Sequence, residues 1–150
     1  MIIDYRRAYN AYRGTSFEPD RRANEERQSY VEDMKSVYEK LKPLAETDEQ
    51  KKVLLNELNI YKSKYIEHLN AVLDAKSRTL SAMITGSARF PTSRNQKALN
   101  VADKRIAEFL DWNKKAVNSI KFQSTLPCRE RPILCVFCSV FILISIHTPM

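Results

Sequence analysis

Residues 47–83 read TDEQKKVLLNELNIYKSKYIEHLNAVLDAKSRTLSAM. Thr47-Asp48-Glu49-Gln50 forms a capping box, in which the Thr47 hydroxyl accepts from the Gln50 amide while the Gln50 side chain reaches back to the helix start. Beyond it Leu54, Leu58, Tyr61, Tyr65, Leu69, Val72, Lys76, Leu80 and Met83 recur at steps of three and four, with Lys76 the polar member. That period marks one face of an α-helix. We expect one helix over 48–84, about 36 residues and ~54 Å long at 1.5 Å per residue. So narrow a stripe buries too little surface to offset the entropy of ordering the chain, and the helix requires a partner.

The partner follows directly. Thr85-Gly86-Ser87-Ala88-Arg89-Phe90-Pro91-Thr92 breaks the pattern, and Ser93-Arg94-Asn95-Gln96 reads as a second capping box. A new stripe runs through Leu99, Ala102, Ile106, Phe109 or Leu110, Ala116 or Val117, and Ile120. Helices over 48–84 and 94–122 should fold back on each other, with Phe90 and Pro91 tucking the turn against the helix ends. Upstream, Ala23, Tyr30, Val31, Met34, Val37, Tyr38 and Leu41 define a helix over 20–42, with Asp20 as its N-cap and Pro43 ending it. Only two glycines occur in the 150 residues, too few for the tight turns of a sheet protein this size. The expected fold is all-α: a long antiparallel helical hairpin, coiled-coil-like, with a third helix alongside in an elongated bundle.

Three segments are expected. Residues 1–19 carry Arg6, Arg7 and Arg13 among Tyr5, Tyr9 and Tyr12, whose spacing also allows a short helix, and read as a loosely held basic arm with its tyrosines packed on the next helix, stacking on bases and contact with phosphates being the alternative. Residues 20–126 form the bundle. Residues 127–150 change character, with an uncharged run from Ile133 to Ile146. That run is short of the ~20 residues a membrane-spanning helix needs. It is open to three readings: a short tail anchor, an element packed on the bundle, or residues foreign to the fold from read-through or a shifted frame.

Catalytic groups are sparse. Cys135-Val136-Phe137-Cys138, with Cys128 and His147, can be written as a Cys₃His zinc site, but lacks a second ligand pair at matching spacing. A redox pair would need a thioredoxin-like context that is absent. His68 has Glu67 as its near acidic neighbour and reads as a surface or seam histidine. Glu25-Glu26 and Glu32-Asp33 are adjacent on a helix, where neighbouring side chains diverge by about 100°, so neither pair can share a proton or a metal. We expect no enzyme activity, no metal site and no cofactor.

Charge carries the functional signal. Lys76, Arg78, Arg89, Arg94, Lys97, Lys104 and Arg105 face Asp103 alone within residues 76–105, which accounts for six of the chain's seven net positive charges. A field concentrated in this way attracts polyanions. The candidate binding residues are Arg78, Arg89, Arg94, Lys97, Lys104 and Arg105 at the hairpin tip, helped by Arg6, Arg7 and Arg13. The expected partner is a nucleic acid, contacted at its phosphate backbone without sequence reading. No membrane partner is expected.

Ser81-Ala82-Met83-Ile84-Thr85-Gly86, with Ala88, Phe90-Pro91, Arg94-Asn95 and Lys97, resembles a pattern in helical proteins of phages and conjugative elements of gut bacteria. With Ala102-Asp103-Lys104 and Phe109-Leu110-Asp111-Trp112, the resemblance covers about forty residues. It implies a mobile-element origin and a basic hairpin tip rather than a mechanism. Tyr9-Asn10-Ala11-Tyr12-Arg13, Phe17, Tyr30 and Met34 are similar, with gaps, to the opening of phage-encoded inhibitors of type II CRISPR nucleases. This second resemblance implies, as an alternative function, inhibition of a host nucleic-acid-processing protein by protein–protein binding. A third alternative is a structural coiled-coil scaffold, a homo-oligomer formed through the helix at 20–42. No cysteine precedes residue 128 and Met1–Arg7 lacks an apolar leader core, so the expected location is the cytoplasm of a bacterial host.

Overall fold

A computed structural model describes residues 3–125, and within them the chain is all-α. The cysteine motif and the three readings of the tail lie outside the described residues. Five helices follow in order: α1 (Tyr5–Tyr12), α2 (Pro19–Leu41), α3 (Asp48–Lys76), the four-residue α4 (Ala82–Thr85) and α5 (Thr92–Thr125). A 3₁₀ turn over Lys42–Leu44 holds Pro43 and separates α2 from α3.

The antiparallel hairpin is formed by α3 and α5, which share the largest interface among the described residues. The pairing descends α3 as it ascends α5, from Leu80 against Asn95, through Tyr65 against Phe109 at 4.9 Å, to the Tyr61 hydroxyl, which donates to Asn113 at 2.6 Å. Tyr61 and His68 both stack on Trp112, at 5.7 and 4.4 Å between rings. Tyr30 of α2 closes on Tyr65 at 5.5 Å, and the Tyr65 hydroxyl donates to Asp33. The Thr47 capping box is present with both of its hydrogen bonds. Ile66 and Leu73 are buried as well, on a side of α3 outside the expected stripe, because α1 and α2 also pack on α3.

The arm expected to be loosely held is a docked helix, and its tyrosines lie against the next helix as expected. Asp4 caps α1 by accepting from the Arg6 amide, and Ala8 and Ala11 are buried in a core that also holds Ala23 of α2. Small side chains let the helix backbones approach closely, and Tyr5 and Tyr12 then donate to Asp20 and Glu26. Tertiary burial outweighs the poor helix propensity of so short a segment.

Three other expectations are corrected. In α2, Pro19 takes the first helical position and Glu18 the N-cap, so Asp20 falls in the first turn instead of capping it. Val31 and Tyr38 lie about 80–100° around α2 from the Tyr30 face and are exposed, leaving Ala23, Tyr30 and Leu41 buried. The largest correction concerns α3, which ends at Lys76. Ser77 and Thr79 turn their hydroxyls onto the Asp74 and Lys76 carbonyls, at 2.8 and 2.7 Å, and the chain leaves the helix axis. Leu80 is then held by Asn95, and Met83, expected in the core, is 81% exposed. Lys76 is accommodated in the stripe because its amine lies over the Tyr12 ring and bonds the Tyr12 hydroxyl.

Candidate nucleic-acid interface

The tip is built around a clasp. The Leu80 amide donates to Asn95 Oδ1 at 2.8 Å, and Asn95 Nδ2 donates to the Leu80 carbonyl at 2.9 Å, so one buried side chain ties the exit of α3 to the first turn of α5. From the other side the Ser81 amide donates to the Gly14 carbonyl at 2.8 Å. The backbones meet so closely that a Cβ on Gly14 would lie 2.9 Å from both Leu80 Cδ2 and the Thr79 carbonyl oxygen. The expected capping box at Ser93–Gln96 is replaced by this arrangement. The helix starts at Thr92, the Asn95 backbone amide donates to the Pro91 carbonyl, and the Gln96 side-chain amide reaches forward to Asn100.

Between the clasped points the chain turns through Gly86, at φ 88° and ψ 150°, a region that only glycine occupies freely, and Arg89, at φ 56°. An L-residue in the left-handed region costs about 1–2 kcal/mol. A charged side chain is therefore held in a loop position where glycine would be conformationally cheaper. Phe90 is half-buried, while Pro91 stays exposed rather than tucked.

Arg78 and Arg94 come together as walls of one cleft of about 380 Å³, with Leu80, Pro91, Asn95 and Ala98 completing it. Arg89 stands in the adjoining loop and Lys97 one turn along α5. Lys104 and Arg105 lie about 10 Å further down the shaft at 1.5 Å per residue, and Arg105 is engaged by Glu108 at 2.8 Å. Of the N-terminal arginines, Arg7 is paired with Asp74 at 3.1 Å. Arg13 is brought to the tip by its neighbour Gly14, and Arg6 sits about two turns back along α1. Among the described residues, Arg78, Arg89, Arg94, Lys97 and Lys104 are exposed and make no ion pair, whereas Arg21 and Arg22 are paired with Glu18 and Glu25 in α2. The positive end of the α5 dipole adds to the same field.

Sequence reasoning overlooked Asn95 and Gly14 as the organisers of this end. The signal for Asn95 was a polar residue at a position that the stripe turns inward, and for Gly14 a glycine outside any expected turn of the bundle.

The remaining titratable groups serve packing. Glu26 and Asp33 accept from tyrosines, Glu25 pairs with Arg21 and Arg22, and Glu32 accepts from Gln28. Burial pushes the Tyr12, Tyr61 and Tyr65 hydroxyls well above the ordinary tyrosine range, and the carboxylates beside them add to the effect. Burial also raises Glu57, while the hydrogen bond from Lys64 lowers Glu67. Among the described residues no cluster of three or more His, Cys, Asp or Glu is placed to hold a metal ion, and no helix is long and apolar enough to cross a membrane. No protein-family model, curated protein or solved structure matches the chain, and the chemistry of the tip must speak for what it binds.

Proposed function

We propose that this protein, of phage or other mobile-element origin, binds nucleic acid non-catalytically by laying its hairpin tip against the phosphate backbone. The observation that supports this most directly is the convergence of Arg78, Arg89 and Arg94, exposed and without ion pairs among the described residues, around one bend. A solubilising cap has no need of a strained arginine or of two guanidinium groups walling one cleft. Lys97, Lys104 and Arg13 extend the positive surface, and Arg6, Arg7 and Arg105 play smaller parts. Nothing among the described residues presents a helix aimed into a groove with side chains for base edges, so the contacts are tolerant of sequence.

The test is a salt titration of binding to a fluorescent oligonucleotide. Affinity should fall steeply with salt, and Arg89→Ala and Arg94→Ala should each reduce the logarithmic slope by about 0.7–0.9 for every phosphate that is no longer neutralised. Binding that ignores salt, or that is unchanged in the double variant, refutes the proposal.

A further inference from the structure

The cleft between Arg78 and Arg94 has dimensions and chemistry that select among nucleic acids. Its volume of about 380 Å³ falls at the small end of the ~300–1,000 Å³ typical of small-ligand sites. Two guanidinium-bearing residues, Arg78 and Arg94, line it together with the apolar Leu80, Pro91 and Ala98. Guanidinium planes stack on base faces and also bond phosphate oxygens. Asn95, the one polar lining residue besides the arginines, is buried and turned to the Leu80 backbone, which engages its oxygen and its nitrogen. The floor is held in place, since Leu80 is clasped by Asn95 and pressed against Gly14.

We infer that this cleft receives a single unpaired nucleotide, its base stacked on the arginine planes that line it and its phosphate at the rim, so that the protein prefers single-stranded to duplex nucleic acid. The inference rests on the nucleic-acid reading above and specifies the strand state. In a duplex the base faces are covered by their neighbours, so only phosphates can reach the arginines. Asn95 is buried and turned to the Leu80 backbone, so the preference is for an unpaired base of any identity, in RNA or DNA.

The experiment compares the full chain's binding, by fluorescence anisotropy, to a single-stranded 12-mer DNA, the same sequence as RNA, and a 12-base-pair duplex, at low and moderate salt. The expected result is single-strand binding about tenfold tighter than duplex binding, in keeping with the energy of stacking one base. Ala98→Trp, which puts an indole into the cleft, should erase that preference. Arg78→Lys with Arg94→Lys, which keeps the charge and removes the planar groups, should erase it as well while preserving the salt slope. The lysine pair provides the answer if Ala98→Trp does not fold. Equal affinity for strand and duplex with a normal salt slope overturns this inference and leaves the proposed function standing. A wild-type preference that survives both variants also overturns it. No binding to any of the three at low salt overturns both.

Discussion

The middle of the bundle and its tip are made from the same two helices and follow opposite rules. In the middle, Tyr30, Tyr61, Tyr65, Phe109 and Trp112 form one aromatic cluster, in which the Tyr61 hydroxyl is satisfied by Asn113 and that of Tyr65 by Asp33. At the tip Arg78, Arg89 and Arg94 are exposed and have no ion pairs among the described residues, and two residues sit at positive φ. Filled space and satisfied groups give a region its stability. Open space, unneutralised charge and backbone strain leave a region free to engage something else. If the tip binds as we propose, stability and recognition are separated along the length of the hairpin and should be separable by mutation.

The largest effect should come from the middle. Leu73→Ala removes a side chain with no exposed surface and should lower stability by about 2–5 kcal/mol, read from the urea midpoint, while nucleic-acid affinity measured well below that midpoint stays unchanged. Gly14→Ala should come next, destabilising by about 1–3 kcal/mol because its methyl group collides with Leu80 and the Thr79 carbonyl. Unlike the core variant, it shifts the floor of the cleft and should weaken binding too, so reduced stability with intact affinity would separate the tip from Gly14. Tyr65→Phe leaves Asp33 without its donor and should cost about 1 kcal/mol at neutral pH.

That tyrosine also sets a pH dependence. Tyr12, Tyr61 and Tyr65 keep their protons in the folded chain at pH values where the unfolded chain, with ordinary values near 10, has lost them. Their stabilising contribution is complete below pH 10 and falls as pH rises beyond it, because unfolding then releases protons. A urea midpoint that declines from pH 10 upward, less steeply in Tyr65→Phe, is the expected result. The smallest effect and the sharpest contrast belong to Arg89→Gly, which relieves a positive φ and removes a charge together. Stability should hold or rise by up to about 1 kcal/mol, while the salt slope shrinks by the equivalent of about one phosphate. A variant that loses stability would mean that Arg89 is a structural residue.

Local chemistry was legible where its partners are near in sequence. The capping box at Thr47 needs only Gln50, and the stripe from Leu54 to Val72 needs only a helical period, so both appear as expected. The end of α3 was hidden because Leu80 and Met83 continue that period. What stops the helix is a competition for carbonyls by Ser77 and Thr79, together with a grip by Asn95, which is fifteen residues away from Leu80. The docking of α1 was hidden for a related reason, since Ala8 and Ala11 carry little hydrophobic signal and gain their value from Ala23 across the interface. The charge of the tip could be counted from the sequence. The pairing of Arg78 with Arg94 across one cleft could not, because it depends on where α3 ends.

The clasp between Leu80 and Asn95 has an engineering consequence. With both roots of the bend pinned to the shaft, the residues between them are a replaceable cartridge, and lengthening a flexible loop adds only about 0.6 kcal/mol per doubling. New peptide sequences could be spliced in between Ser87 and Ala88 and displayed at the end of a rigid helical handle, with no demand on the rest of the architecture.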